Sequence, residues 1–304
     1  MKLRRFLVGL ALLACVGRSA YAQELEPRLL ANVPPGMQFA VLAYGYSQGN
    51  ILLDPAVPIE DLDASLHTFA AGYARTFSLF GRSAQFDIVV PFAAGNWEGL
   101  YLGSEEKLTL DGLGDPRVRL FWRFAGAPAL KTKADAGAYR QDVIAGATVQ
   151  LIMPFGEYDP SELINLGSNR WTVRSGVGVS KALGNWTVEG YGALWIFGEN
   201  NDFVDGLLLE QKPLVTAKTH LIRSFSGGRW MSLDVGYGFG GRTIVEGAER
   251  DTRISAFRFG LSYIWPLNPH HSLKLLGASG VRLEKGPDFN VVGLVYQFRW
   301  GGPR

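Results

Sequence analysis

Trp230-Met231-Ser232-Leu233-Asp234-Val235-Gly236-Tyr237-Gly238-Phe239-Gly240 alternates large apolar residues with small or polar ones. In an extended chain successive side chains point to opposite faces. Met231, Leu233, Val235, Tyr237 and Phe239 therefore share one face, and Ser232, Asp234, Gly236 and Gly238 the other. Three further stretches repeat the pattern as cleanly. Within 83–92, Ala84, Phe86, Ile88, Val90 and Phe92 oppose Ser83, Gln85 and Asp87. Within 117–124, Val118, Leu120, Trp122 and Phe124 oppose Arg117, Arg119 and Arg123. Within 290–300, Val292, Leu294, Tyr296, Phe298 and Trp300 oppose Gln297 and Arg299.

Eight looser segments follow the same period, at 37–46, 65–77, 143–153, 170–180, 186–197, 214–224, 252–265 and 272–280. Most of these segments run about 9–12 residues, the length a tilted strand needs to cross a bilayer, against about 5–6 for an average soluble strand. The connections between them alternate long (47–64, 93–116, 154–169, 198–213, 241–251) and short (78–82, 181–185, 225–229, 266–271), with 125–142 the exception. Trp97, Trp171, Trp186, Trp195, Trp230, Trp265 and Trp300 fall at strand ends, where interfacial girdles belong. Alternation alone fits a soluble sandwich equally well. Strand length, loop asymmetry and girdle together predict an all-β, transmembrane, antiparallel up-and-down β-barrel of about twelve strands, its termini on the periplasmic side.

Composition agrees. The 38 glycines among 304 residues disfavour long packed helices, and 47% hydrophobic with 12% aromatic residues excludes disorder. One Cys excludes a disulfide scaffold or a cysteine-built zinc site. Residues 1–22 read as a secretory signal: Lys2, Arg4 and Arg5, then an apolar run from Phe6 to Val16, then Ala20-Tyr21-Ala22 before Gln23. A rival reading takes Leu12-Leu13-Ala14-Cys15 as a lipobox, with Cys15 lipidated. With Lys2, Arg4, Arg5 and Arg18 removed, the 30 basic residues fall below the 28 acidic ones, so no nucleic-acid partner is expected. Residues 23–304 then form one barrel domain facing outer-membrane lipid.

The chain resembles the "MetA-pathway of phenol degradation" family of bacterial outer-membrane β-barrels. The resemblance rests on Leu53-Asp54-Pro55, Ile59-Glu60-Asp61, Gly112-Leu113-Gly114-Asp115-Pro116-Arg117 and Gly126-Ala127-Pro128-Ala129-Leu130. It continues through Pro154, Gly156, Tyr158-Asp159-Pro160, Leu163-Ile164-Asn165, Gly167 and Asn169-Arg170-Trp171 to Gly240-Gly241-Arg242 and Ser272-Leu273-Lys274-Leu275. It implies a porin-like channel for small solutes, aromatic or hydrophobic ones among them, and supplies no catalytic residues. The ending Leu294-x-Tyr296-x-Phe298-x-Trp300 looks like the aromatic signal read by the outer-membrane assembly machinery, here overhung by 301–304.

In lumen phase lie Arg117, Arg119 and Arg123 on one strand, Arg170 and Arg174 on another, and Asp87, Glu189, Lys218, His220 and Asp234 elsewhere. Such residues either line a constriction that orients polar solutes or simply neutralise one another, since an unpaired buried charge costs several kcal/mol. Two facing arginine rows would nearly fill a twelve-stranded lumen, predicting a narrow, passive passage. Tyr73, Phe121 and Tyr191 are expected to add aromatic surface there. Only 23–36 precedes the first strand, too little for a plug domain. A five-residue turn at 225–229 pairs His220 with Asp234 and leaves Ser232 on the same face, which raises a membrane-embedded hydrolase as the alternative. Gly236-Tyr237-Gly238-Phe239-Gly240-Gly241 fits a dinucleotide fingerprint in letters only, because no helix follows. His67, His270 and His271 have no companions at ligand spacing, and neither a cofactor nor a metal is expected.

Overall fold

Branched and aromatic residues at period two favour extended backbone in these segments. A computed structural model describes residues 25–51, 54–57, 59–283 and 288–303. The leader, its cleavage site and the Leu12–Cys15 motif lie outside the described residues. The twelve alternating segments are twelve staves of one closed antiparallel wall. In chain order these are β1 (Met37–Asn50), β2 (Ile59–Leu79), β3 (Arg82–Tyr101), β5 (Arg117–Ala125), β6 (Val143–Ile152) and β7 (Thr172–Leu183). Then follow β8 (Trp186–Phe197), β11 (Leu214–Ser224), β12 (Trp230–Gly240), β15 (Ile254–Pro266), β16 (His271–Arg282) and β17 (Asp288–Gly301). β17 returns to β1 with Gly301 opposite Met37 and Asp288 opposite Asn50, so the ring has no open edge.

The outward phase is apolar and the inward phase polar, the reverse of a soluble protein. Leu42, Val177 and Val292 are each about 60% exposed, whereas Gln85, Asp87, Arg119, Gln150, His220 and Asp234 are buried. A belt of that kind fits lipid. No helix among the described residues is long and apolar enough to cross a membrane.

Four connections differ from the sequence expectation. The stretch 93–116 is strand, not loop: β3 runs on to Tyr101, turns at Leu102-Gly103 and returns as β4 (Ser104–Leu113), Phe92 opposite Leu113. Glu105, Glu106 and Lys107 mask its period, which Leu108 and Leu110 carry. The stretches 198–213 and 241–251 hold β9 (Asn200–Phe203), β10 (Leu207–Gln211), β13 (Thr243–Val245) and β14 (Ala248–Glu249), a small sheet of order β14-β13-β10-β9. Val57, Phe203, Leu209 and Val245 form its core, which is why polar loop residues pair there at all. The connection 125–142 contains α1 (Lys133–Ala138), started by a capping box between Thr132 and Asp135. Its first residues lie along the β2–β3 turn, where Ser83 N donates to Ala127 O at 3.0 Å and Ala129 N to Gly81 O at 3.0 Å.

The loop 154–169 folds over the mouth opposite the end where β1 starts and β17 finishes. Ile164 and Leu166 are buried against Leu62, Trp97 and Phe289, and Tyr158 Oη donates to Asp202 O at 2.9 Å.

Gly126 sits at φ +72°, and a Cβ there would lie 1.7 Å from Val143 O. Gly137, inside α1, has open space around it. Gly126→Ala is expected to destabilise the barrel by roughly 2 kcal/mol, whereas Gly137→Ala should be neutral or stabilising by up to about 1 kcal/mol. The temperature at which folded gel mobility is lost measures both. A Gly126→Ala variant as heat-resistant as wild type would contradict the assignment.

Candidate functional site

Cross-strand register assembles a polar row that sequence spacing cannot show. Asp87 on β3 stands opposite Arg119 on β5, Arg119 opposite Gln150 on β6, Gln150 opposite Arg174 on β7, and Arg174 opposite Trp195 on β8. All five side chains are buried in the inward phase. The two arginine strands were expected to face each other across the lumen. They stand on one wall, separated only by β6.

Charges in so small a space need partners. Arg119 Nε donates to Asp87 Oδ2 at 3.1 Å, and its Nη1 to Glu26 Oε1 and Oε2 at 2.8 and 2.7 Å. Arg174 Nη1 lies 3.9 Å from Glu26 Oε2, and its guanidinium stacks on Trp195 at 5.1 Å. Glu26 belongs to no strand. It comes from the stretch ahead of β1, whose residues 25–33 are seated in the lumen. Five consecutive residues, Leu29 to Val33, are buried.

The segment enters at the end of the barrel where β1 starts and β17 ends. Gly36 N donates to Thr76 O at 2.9 Å, Thr76 Oγ1 to Pro34 O at 2.6 Å and Ser83 Oγ to Val33 O at 2.9 Å. Deeper in, Asn32 Nδ2 donates to Pro128 O at 3.1 Å, Leu30 N to Tyr191 Oη at 3.1 Å and Arg123 Nη2 to Leu29 O at 2.8 Å. Leu29 and Leu30 pack on Phe121, Ala127, Ile144 and Tyr191. Arg28 N donates to Glu189 Oε2 at 2.8 Å, and Arg28 Nη1 to Ser224 Oγ at 3.1 Å. Leu25 ends the described path against Gly236 and Gly260, and a Cβ on Gly260 would meet its Cδ1 at 2.5 Å. The dinucleotide-like glycine run thus contributes room for a side chain.

Burial alone would raise the Glu26 carboxyl pKa. The charges of Arg119, Arg174 and Lys218 outweigh it and hold the group well below its ordinary 4.5.

The remaining expected residues are dispersed. Arg117 is half-buried at the outer end of β5. Arg170 falls just before β7 at the outer mouth, where Nη2 donates to Gln211 Oε1 at 2.7 Å and Asp54 Oδ2 at 3.3 Å. Glu189 serves the inserted segment and Tyr191 Oη (2.9 Å). Tyr73 is a correction. Ala74 and Thr76 take the inward phase of β2, so Tyr73 faces outward, donating to Gln38 Oε1 at 2.8 Å, with Trp300 6.2 Å away. Phe121 and Tyr191 do face inward.

His220 and Asp234 stand opposite in register, with Nδ1 to Oδ1 at 2.8 Å. The carboxylate can only accept, so Nδ1 carries the proton. Ser232 Oγ donates to the other oxygen, Oδ2, at 3.0 Å. Serine and histidine thus share one carboxylate, and this is not the serine–imidazole contact a hydrolase needs. Sequence reading missed Glu26, Gln150 and Arg258, the last lying 4.3 Å over Phe289. Gln150 and Arg258 were in inward phase within recognised segments; Glu26 had no period to reveal it. Among the described residues no group of three His, Cys, Asp or Glu is placed to hold a metal.

Glu26→Ala removes the carboxylate that Arg119 bonds and Arg174 approaches, and should weaken seating of the segment by about 3 kcal/mol. Hydrogen exchange of residues 28–33, corrected for intrinsic rates, reads this as lost protection. In wild type, the depressed value means the Glu26 contribution is complete above pH 4.5 and is lost only as pH falls below it. Corrected protection should therefore be flat from pH 8 to pH 5. A Glu26→Ala variant protected like wild type would exclude the ionic anchor.

The sequence matches the family described as "Putative MetA-pathway of phenol degradation" over residues 45–282. No curated protein matches it. Among solved structures, the "COG4313 outer membrane channel from Pseudomonas putida F1" is similar with a TM-score of 0.73 at 19% identity, covering 90% of this chain and 99% of that one. The transport unit of the autotransporter AIDA-I from Escherichia coli is similar with a TM-score of 0.50 at 9% identity, covering 88% and 92%. Identities this low speak for the fold alone. The family match runs from within β1 to the last residue of β16, and the chain belongs to the MetA-pathway of phenol degradation family.

Proposed function

We propose that the protein is an outer-membrane channel that passes small solutes passively and selectively, apolar and aromatic ones among them. One observation carries this reading: a closed wall with an apolar outer belt encloses a lumen whose mid-height is a charged row. A lipid-facing belt with a polar interior is what a solute path requires, and the family and the fold likeness point the same way. Asp87, Arg117, Arg119, Arg123, Arg170, Arg174, Glu189, Lys218, His220 and Asp234 then line or brace the constriction. Seven buried cationic side chains against five buried carboxylates among the described residues bias the path toward anions.

Under the same reading the leader is cleaved after Ala22, which starts the mature chain at Gln23, two residues ahead of Leu25. The assembly machinery would engage β17, whose Leu294, Tyr296, Phe298 and Trp300 share the outward phase. N-terminal sequencing checks the cleavage, and a lipidated Cys15 at the N-terminus would overturn it.

Planar-bilayer recording tests the channel. Wild type should show small conductance with anion preference. Arg119→Ala and Arg174→Ala should shift the reversal potential toward cations and, by loosening Glu26, raise conductance. A large wild-type conductance indifferent to both substitutions would refute the constriction.

A further inference from the structure

Among the described residues of the inserted segment, Glu26 presents a charge to the mid-lumen row, as a carboxylate held from two sides. Arg119 donates to both of its oxygens, and Arg174 approaches Oε2 at 3.9 Å. Between those two arginines in register stands Gln150, 1% exposed, whose Nε2 has no hydrogen-bond partner. A buried amide donor left unmade costs about 1–3 kcal/mol, and such groups are rare without a reason. Arg119 is already fixed from behind by Asp87, so its Nη edge is presented inward ready-formed. The row is therefore a preorganised carboxylate receptor with more donors than Glu26 uses.

The apolar surroundings define the rest of the ligand. Trp195 adjoins Arg174 on one side of the row, and Phe121 and Tyr191 lie on the other, covered by Leu30. With the segment in place, a carboxylate sits on the arginines and an apolar side chain sits on the aromatic wall. We infer that the Arg119–Gln150–Arg174 row is a binding site for small monocarboxylates with an apolar or aromatic body, and that residues 25–30 occupy it as a built-in competitor.

This inference rests on the channel reading and gives it a substrate class. The competitor is tethered at Gly36, so its carboxylate acts as an intramolecular ligand of millimolar effective concentration. A carboxylate solute must outcompete it for the same donors. Neutral aromatics of the same shape lack the group that displaces Glu26.

The test uses the full mature protein in detergent and benzoate as probe, with benzamide as the neutral isostere. Calorimetric titration should show benzoate binding about tenfold tighter to Glu26→Gln than to wild type, because the competitor has lost its charge. Adding Gln150→Leu or Arg174→Gln to Glu26→Gln should weaken benzoate by about tenfold, the loss of one charge-assisted or buried hydrogen bond. Gln150→Leu removes no charge, so it keeps the test valid where an arginine variant fails to fold. Benzamide should not bind any of them. Absence of benzoate binding to Glu26→Gln, or equal binding of benzamide, overturns the site. Uptake into proteoliposomes is the separate arm. Binding without uptake by any variant supports the site and overturns the channel; uptake of benzoate and benzamide alike, without binding, supports the channel and overturns the site.

Discussion

A guanidinium enclosed by a twelve-stranded wall cannot be left to water, and the lumen is organised around that constraint. Arg119 has Asp87 behind it and Glu26 before it, and Arg174 leans on Trp195 and the same Glu26. Within the row itself Asp87 is the carboxylate beside two guanidiniums, and Glu26 brings a second. The segment's position follows from this imbalance more than from its own hydrophobicity, since its buried leucines need only some apolar wall whereas its carboxylate needs these two arginines. Selectivity, closure and the conformation of the first residues before β1 are therefore one electrostatic problem.

The two ends of the barrel are closed by different means. At the end where β1 starts and β17 finishes, polar contacts dominate: Thr76, Ser83, Pro128 and Glu189 each bond the segment's backbone or side chains. At the opposite mouth, Ile164 and Leu166 pack on Trp97 and Leu62, and Arg170 reaches Gln211 and Asp54. The outer mouth is thus closed by an apolar cover with one charged clasp, and the opposite end by a hydrogen-bonded seat.

Every stave was legible in the sequence because lipid on one side and a polar lumen on the other impose period two over long stretches. The phase of Arg119, Arg174, His220 and Asp234 followed from it, and the His220–Asp234 pairing followed from one turn length. Where the period fails, reading fails. β4 hid behind Glu105, Glu106 and Lys107; β9, β10, β13 and β14 exist through mutual packing of Val57, Phe203, Leu209 and Val245, which no local pattern announces. Tyr73 was misplaced because β2 has alanine and threonine on its inward face, so size did not separate the two sides. Gln150 and Arg174 become neighbours only through register, and Glu26 reaches Arg119 across 93 positions of sequence, beside contacts spanning 161 to 196 positions made by Arg28 and Leu30. Long-range pairing is information that composition does not hold.

The tether at Gly36 has a consequence for the order in which the molecule is built. β1 closes the ring against β17, the final strand, so the wall is complete only when the last staves arrive. The hydrogen-bond partners described for residues 26–34 run from Thr76 to Ser224, all on earlier staves or turns. The seat for the N-terminal segment thus exists in an open, curved sheet before the seam is sealed. Threading a peptide into a finished cylinder is unnecessary: the chain's own beginning can lie down first, and the cylinder is then rolled shut around it.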